Sequence, residues 1–168
     1  GYFYTGGPRP YGYLGLGEVF VFCFFGLFAT VGTVFVETRE LPLAAWLLGG
    51  ACGFLACAVL SINNLRDIET DRAAGKLTLS VRLGRRATIG MVTVFYGAAL
   101  LLLILGARYG GLPDLSVLAL VVAPFVAALL GTLGAHDGLR LIGALRRSAE
   151  IEVWFALLFT LGVVIGLR

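Results

Sequence analysis

Residues 63–76 read NNLRDIETDRAAGK, and this charged stretch interrupts an otherwise strongly apolar chain. Ionisable groups at membrane depth are costly, so they usually mark a functional site. If the stretch continues as a helix, Asn64, Asp67 and Asp71 stand at positions i, i+3 and i+7 and share one face. Gly75 is placed to end that helix. Three oxygen-bearing side chains on one face predict a site for a divalent cation.

The composition around this stretch is that of a membrane protein. Hydrophobic residues make up 59% of the 168 residues, charged residues make up 14%, and the mean hydropathy is +0.95, which excludes an ordinary soluble globular domain. A helix of about 20 apolar residues crosses the hydrocarbon layer. The pattern therefore predicts an all-α, polytopic transmembrane helix bundle with five spans, with Pro124 tolerated as a kink in the fourth. The predicted spans are 14–36, 41–62, 87–107, 112–133 and 151–167.

The basic residues predict the orientation of these spans. With five spans, the start of the chain, the segment 63–86 and the connection 134–149 lie on one side of the membrane. Three basic residues lie on the other side, namely Arg39, Arg108 and Arg168. The first side carries ten, which predicts that it is cytoplasmic: Arg9, Arg66, Arg72, Lys76, Arg82, Arg85, Arg86, Arg140, Arg146 and Arg147. This topology accounts for the net charge of +3, so no nucleic-acid partner is expected.

Two carboxylates one helical turn apart repel each other, and a bound cation resolves that repulsion. Magnesium uses one or two protein carboxylates and completes its shell with water and phosphate oxygens. The neighbouring basic side chains then favour a metal-bridged diphosphate, since Arg binds phosphate in a bidentate way and Lys binds it as a point charge; they are Arg66, Arg72, Lys76 and Arg82. The alternative is a solvated cytoplasmic loop. It is disfavoured because the apolar residues 58–62 run into Asn63 without a helix breaker.

Other unusual residues in the spans have simpler interpretations. Glycines within the spans predict close helix packing, notably Gly26, Gly32, Gly49, Gly50 and Gly53. Three cysteines are interpreted as small hydrophobic residues without a redox or metal role, namely Cys23, Cys52 and Cys57. Glu18 lies early in the first span, where an acidic residue suggests a polar network. His136 and Asp137 are expected to belong to an ordinary loop at a helix end.

Residues 63–84, NNLRDIETDRAAGKLTLSVRLG, resemble the second aspartate-rich motif of the UbiA superfamily of intramembrane prenyltransferases. Within that superfamily they are most similar to the 1,4-dihydroxy-2-naphthoate polyprenyltransferases of menaquinone synthesis. A second block, YTGGPRPYGYLGLGEVFVFCFFG at 4–26, resembles the same subfamily. Two blocks in the expected order are more specific than either block alone.

The resemblance implies a nine-helix fold around a central cavity, in which these five spans are helices five to nine. Residues 1–168 are then the C-terminal part of one prenyltransferase domain, and 63–86 is its cytoplasmic active-site segment. The family's first motif, N-D-x-x-D, has no counterpart in this sequence. The N-terminal helices and that motif are expected in a missing half of the protein, in the same or another chain.

The resemblance also implies the chemistry. Mg²⁺ would be held by Asp67 and Asp71 with the amide of Asn64 or Asn63, and these groups are the expected catalytic residues. Arg66, Arg72 and Lys76 would help to hold the diphosphate of a polyprenyl diphosphate. An aromatic acceptor, 1,4-dihydroxy-2-naphthoate, would attack C1 of the prenyl chain with decarboxylation and give demethylmenaquinone, at the plasma membrane of a bacterium.

Tyr4 and Arg9 lie in the block that corresponds to the family's diphosphate-side connection, and Arg82 lies near the end of the motif 63–84. The usual Y-x-x-x-K spacing is broken because position 8 is Pro. Tyr4 and Arg9 therefore have an equal alternative, as an interfacial tyrosine and a topology-determining arginine.

Other functions stay open at this stage. Other UbiA-type acceptors are 4-hydroxybenzoate, homogentisate and haem. A CDP-alcohol phosphotransferase would show an extended D-G-x-x-A-R pattern with further aspartates, and the sequence has none. A non-enzymatic transporter fragment would carry its charged or broken-helix features at mid-membrane depth. The prenyl chain length and the oligomeric state are left open.

Overall fold

The computed structural model describes residues 15–134 and 138–168, and within these ranges every regular element is a helix. Five of the helices are long and apolar enough to cross a membrane, which confirms the predicted all-α bundle of five spans. In chain order the helices are α1 Gly17–Thr38, α2 Leu43–Arg66, α3 Ile68–Ala73, α4 Leu79–Leu83, α5 Arg85–Tyr109, α6 Asp114–Thr132 and α7 Gly138–Gly166. The numbering of the five long helices as five to nine of a nine-helix fold stays a prediction.

Two of the long helices depart from regular α geometry. The stretch Phe22–Phe28 of α1 is a π-helix. The first half of α6, Asp114–Val122, is a 3₁₀ helix that becomes α-helical at Ala123–Thr132. Pro124 stands in the first turn of that α-helical half, directly after the 3₁₀ stretch. The helix type thus changes next to Pro124, and the kink expected there stays a prediction.

Helix α2 is the centre of the bundle, because it packs against α1, α5 and α7. Its buried face carries Leu55, Ile62 and Leu65, each at most 2% exposed. A buried hydrogen bond of 2.7 Å between the hydroxyls of Tyr96 and Ser148 joins α5 to α7. The apolar core is completed by residues of α5, α6 and α7: Val92, Leu103, Val122, Leu129, Leu141 and Phe155.

The fifth span begins earlier than predicted. The sequence prediction placed a connection at 134–149, but α7 is helical from Gly138, so Arg140, Arg146 and Arg147 lie on a helix. This part is helical because Leu141, Ala144 and Ile151 recur at helical spacing and are buried against the core. Arg146 also pairs with Glu150 one turn later, at 2.8 Å. A search for uninterrupted apolar runs misses such a charged helix end. His136 and Asp137 lie outside the described residues.

The two loops that the topology places at one end of the bundle are tied together. The Arg85 guanidinium donates a hydrogen bond of 3.1 Å to the Leu133 carbonyl oxygen. This contact joins the start of α5 to the end of α6, where the unsatisfied carbonyls of a helix favour a cation. The segment 67–84 and the α6–α7 connection therefore lie at the same end.

Close backbone packing between α1 and α2 depends on glycine. A Cβ atom built on Gly26 would lie 2.6 Å from the carbonyl oxygen of Gly49 and 2.7 Å from the backbone nitrogen of Gly53. Backbone atoms cannot move aside as a flexible side chain can. The predicted role of Gly26, Gly49 and Gly53 in close packing is confirmed, whereas a Cβ on Gly32 meets nothing within 4 Å.

We expect Gly26→Ala to destabilise the full-length protein, because the added methyl group forces α1 and α2 apart. Overpacking of this kind costs about 1–3 kcal/mol. Thermal unfolding in detergent, followed by size-exclusion chromatography, measures the effect. Gly32→Ala is the matched control in the same helix and should unfold at the wild-type temperature or above. Equal unfolding temperatures for Gly26→Ala and wild type would contradict the close α1–α2 contact.

Candidate functional site

The aspartate-rich segment continues the end of α2, as the sequence predicts, with one interruption. Asp67 leaves the helical conformation, at φ −96° and ψ 9°, between the end of α2 and the start of α3. The backbone ladder nevertheless continues, because Asp67 N donates to Asn63 O at 3.2 Å and Asp71 N donates to Asp67 O at 2.8 Å. Asp67 and Asp71 therefore stay one turn apart, as predicted.

Glycine ends this helical segment and turns the chain back. Gly75 has a φ of +71°, which an L-residue with a side chain rarely adopts, so its role as a helix stop is confirmed. The turn brings Lys76 back to Asp71, since Lys76 N donates to Asp71 O at 2.8 Å. The backbone thus places the Lys76 side chain beside the second aspartate.

Each of the two aspartates has a basic partner. Arg66 donates two hydrogen bonds of 2.7 Å to the two oxygens of Asp67. Lys76 Nζ lies 3.1 Å and 3.2 Å from the two oxygens of Asp71, which is only 9% exposed. Partly buried charge pairs are screened less by water than surface pairs are. The arrangement gathers two carboxylates and two cations at the end of α2.

Arg72 lies on the other side of the short helix α3. Its guanidinium contacts Glu69 at 3.3 Å, and the side chains are 54% and 84% exposed. Glu69 therefore points away from the aspartate pair, as the helical register predicts. The structure brings Arg72 together with Glu69, and a diphosphate role for Arg72 stays a prediction.

The segment after Lys76 folds back onto the start of α1. The Thr78 hydroxyl accepts a hydrogen bond of 3.3 Å from Val81 N and caps α4. Arg82 Nε donates to the Leu77 carbonyl oxygen at 3.2 Å. A Cβ on Gly15 would lie 3.3 Å from Arg82 Nε, so the start of α1 passes close to this arginine. Tyr4 and Arg9, which were predicted to contact the diphosphate, lie outside the described residues.

Asn64 does not lie free beside the aspartates. It is 5% exposed, and its Nδ2 donates a hydrogen bond of 3.2 Å to Oε1 of Glu18 on α1. Ser61, one turn earlier on α2, lies 3.5 Å from the same oxygen. The polar network suspected around Glu18 is therefore present, and it reaches the aspartate-rich segment through Asn64. Sequence reasoning missed Ser61, although its position three residues before Asn64 places both on one helix face.

An open groove of about 740 Å³ runs between α1, α2 and α7. It extends from Asn63, next to the aspartate-rich segment, along Leu60 and Ala56 to Cys52 on α2. Its walls are mostly apolar, and Arg146 and Glu152 of α7 are its charged lining residues. At a rise of 1.5 Å per residue, the α2 wall from 52 to 63 is about 16 Å long. A second cavity of about 700 Å³ lies between α6 and α7.

The donor groups at the end of α2 fit a magnesium ion that shares its shell with a substrate. Two carboxylates one turn apart and a nearby amide are hard oxygen donors, and magnesium commonly takes one or two carboxylates plus phosphate oxygens. Within residues 15–134 and 138–168, no three His, Cys, Asp or Glu residues cluster as a metal site.

These features define a multi-pass helical membrane protein with an aspartate-rich, cation-flanked site at the end of one membrane helix. The chain belongs to the UbiA prenyltransferase family, whose family model matches residues 1–140.

Curated relatives give the family more detail. The 1,4-dihydroxy-2-naphthoate octaprenyltransferase of Escherichia coli (strain K12) is 54% identical over 81 residues, which cover 48% of this chain and 26% of that protein. The Bacillus subtilis (strain 168) protein of the same name is 29% identical over 170 residues, covering 99% of this chain and 54% of that protein. A 2-carboxy-1,4-naphthoquinone phytyltransferase of Synechocystis sp. is 27% identical over 138 residues, which cover 82% of this chain and 45% of that protein.

The aligned parts of the chain cover from about a quarter to about half the length of these relatives. No solved structure matches it.

Proposed function

We propose that this chain is part of a membrane prenyltransferase that transfers a polyprenyl group from polyprenyl diphosphate to 1,4-dihydroxy-2-naphthoate. The ring loses its carboxyl group as CO₂, diphosphate leaves the prenyl chain, and the product is the reduced, quinol form of demethylmenaquinone. On this proposal the chain supplies helices five to nine of a nine-helix fold, and the first aspartate-rich motif comes from another part of the protein. The names of the Escherichia coli and Bacillus subtilis relatives support the naphthoate as acceptor.

The observation that carries the proposal is the arrangement at the end of α2. Asp67 and Asp71 lie one turn apart, joined by a backbone hydrogen bond of 2.8 Å, and each contacts a basic side chain. Carboxylates suit a divalent cation, and the basic groups suit phosphate oxygens. A cation-bridged diphosphate needs both kinds of group within a few ångströms of each other.

The residues near the end of α2 have distinct proposed roles toward the cation and the diphosphate. Asp67, Asp71 and the amide of Asn64 would hold Mg²⁺, which supplies charge neutralisation for the departing diphosphate when it is bound. Arg66 and Lys76 are next to the carboxylates, so they reach the remaining phosphate oxygens. Basic groups in fixed positions stabilise the negative charge that develops on the leaving group as the allylic C–O bond breaks. Arg72, Arg82, Tyr4 and Arg9 are proposed as outer contacts to the same diphosphate.

The groove between α1, α2 and α7 is proposed to bind the apolar parts of the substrates. It begins at Asn63 and continues along apolar side chains of α2, so a prenyl chain bound there would have its diphosphate end at the aspartates. Burial of each CH₂ group is favourable by about 0.8 kcal/mol. Apolar walls also keep water away from the reactive prenyl carbon while it awaits the aromatic ring.

We also propose that the site faces the cytoplasm at the plasma membrane of a bacterium. The charge asymmetry supports this orientation, since ten basic residues belong to the side of the aspartate-rich segment and three to the other. Three of the ten lie on helix α7, namely Arg140, Arg146 and Arg147. They are still counted on this side, because they lie near the start of α7, at the same end of the bundle as the α6–α7 connection.

A competition assay tests the acceptor. The full-length protein in liposomes is offered equal amounts of 1,4-dihydroxy-2-naphthoate and 4-hydroxybenzoate, together with Mg²⁺ and a polyprenyl diphosphate. We expect the naphthoate to be prenylated and decarboxylated in at least about tenfold preference, a difference of roughly 1.4 kcal/mol in activation free energy. Product from 4-hydroxybenzoate alone would overturn the acceptor and leave a UbiA-type prenyltransferase. Absence of prenyl transfer to any aromatic acceptor would favour a non-enzymatic role.

A further inference from the structure

Glu18 is a buried acid in the first turn of α1, and it is not among the proposed ligands of the cation or of the diphosphate. It is 6% exposed, although acidic side chains are almost never fully buried without a reason. Its side chain stands in the first turn of the helix, on the end of α1 that packs beside α2. The acid lies beside the last turns of α2, which lead into the aspartate-rich segment.

Three contacts fix Glu18 against α2. The Cys57 thiol donates a hydrogen bond of 3.1 Å to the Glu18 backbone carbonyl, which holds the main chain in place. Oε1 accepts from Asn64 Nδ2 at 3.2 Å and lies 3.5 Å from the Ser61 hydroxyl. Cys57, Ser61 and Asn64 lie on one face of α2, so Glu18 contacts that face over two turns. The other oxygen, Oε2, has no hydrogen-bond partner among the described residues and is fully buried.

Such an incompletely satisfied buried acid reduces stability, since a buried polar atom without a partner costs free energy. A neutral side chain of similar shape would fill the same space at lower cost. The carboxylate differs from its neutral amide in one respect that matters here, because it can only accept hydrogen bonds. Facing Asn64, it binds the amide nitrogen and excludes the flipped orientation of that amide.

We propose that Glu18 is a positioning residue for the cation site, and that it acts through Asn64. With Nδ2 held by Glu18, the amide oxygen of Asn64 is turned away from the acid and is the atom offered to the site. Partners of metal ligands set ligand orientation in this way, and their loss commonly costs tenfold to a hundredfold in metal affinity. This proposal rests on the proposed function to the extent that Asp67, Asp71 and Asn64 hold a divalent cation.

The test is Glu18→Gln in the full-length protein, with Mn²⁺ as the probe and inorganic pyrophosphate present. Electron paramagnetic resonance of the free Mn²⁺ ion gives the affinity without any turnover. The Gln side chain has nearly the same shape, but its own amide can pair with Asn64 in either orientation. We expect the Mn²⁺ dissociation constant to rise about tenfold, with the thermal unfolding temperature at or near that of wild type. Glu37→Gln, an exposed acid at the other end of α1, is the matched control and should bind Mn²⁺ as wild type does.

A second variant shows whether the effect passes through Asn64. Asn64→Ala should weaken Mn²⁺ binding by a similar factor, and adding Glu18→Gln to it should cause no further loss. Should Glu18→Gln fail to fold, Glu18→Asp keeps the acceptor-only group while withdrawing it by one methylene, and it is expected to weaken Mn²⁺ binding too. Wild-type affinity in the folded Glu18 variant, or additive losses in the double variant, would overturn the proposal. Normal Mn²⁺ binding by wild type without prenylation of the naphthoate would instead overturn the proposed acceptor.

Discussion

Replacing Asp67 or Asp71 with Ala in the full-length protein is expected to lower kcat/KM for prenyl transfer by about a thousandfold. Each change removes a carboxylate from the proposed cation site, and metal stabilisation of a leaving group contributes several kcal/mol. A loss of about 4 kcal/mol corresponds to this factor at room temperature. Because both residues also hold a basic partner, each change frees Arg66 or Lys76 from its carboxylate as well. Initial rates over a range of Mg²⁺ concentrations give the measurement.

Glu69→Gln is the matched control for these two changes. Glu69 lies within two residues of both aspartates, but its side chain is 84% exposed and faces away from them. Its loss should change kcat/KM by no more than about twofold, as is usual for exposed charges that lie away from a site. Activity within a few-fold of wild type for both aspartate variants would exclude this site. A large loss for Glu69→Gln would instead place the cation on the opposite face of α3.

The fold was predictable because its main signal is long-range hydrophobicity. Runs of about 20 apolar residues have few alternatives in a membrane, and four of the five gave helices close to the predicted limits. The exception is α7, where Arg140, Arg146 and Arg147 hid the first three turns. A helix that extends beyond the hydrocarbon layer keeps its buried face, here Leu141 and Ala144, while the rest of its surface becomes charged. A mean hydropathy over consecutive residues does not detect apolar residues that are confined to one face of a helix.

The candidate site was predictable in its residue types and register, but only partly in its pairings. Helical spacing placed Asp67 and Asp71 one turn apart, and local geometry was sufficient for that. The partner of Asn64 comes from α1, 46 residues away in sequence, and no local pattern specifies such a contact. The choice of Glu69 as the partner of Arg72 is equally hard to foresee, since several carboxylates lie within reach of a long side chain.

The pairings of Lys76 and Arg72 lead to a prediction about donor binding. Lys76→Met is expected to raise KM for the polyprenyl diphosphate by about tenfold to a hundredfold and to leave KM for the aromatic acceptor unchanged. Hydrogen bonds to charged groups are worth about 1.5–3 kcal/mol, which sets this range. Lys76 Nζ lies 3.1 Å from Asp71, so it is next to the proposed cation and within reach of the diphosphate that the cation would bridge. Steady-state kinetics with each substrate varied in turn separate the two KM values.

Arg72→Met tests whether position or charge alone decides donor binding. Both changes remove one positive charge from the same short segment, so a general electrostatic attraction to diphosphate would make them equal. Direct contact with the bound diphosphate would make the two effects unequal. Arg72 is turned toward Glu69 and is 54% exposed, whereas Lys76 is 27% exposed and lies beside Asp71. We therefore expect Arg72→Met to raise KM for the donor by only a few-fold, with the ratio of naphthoate to 4-hydroxybenzoate product unchanged in both variants. Equal increases would assign the effect to net charge, and a shifted product ratio would mean that this segment also contacts the acceptor.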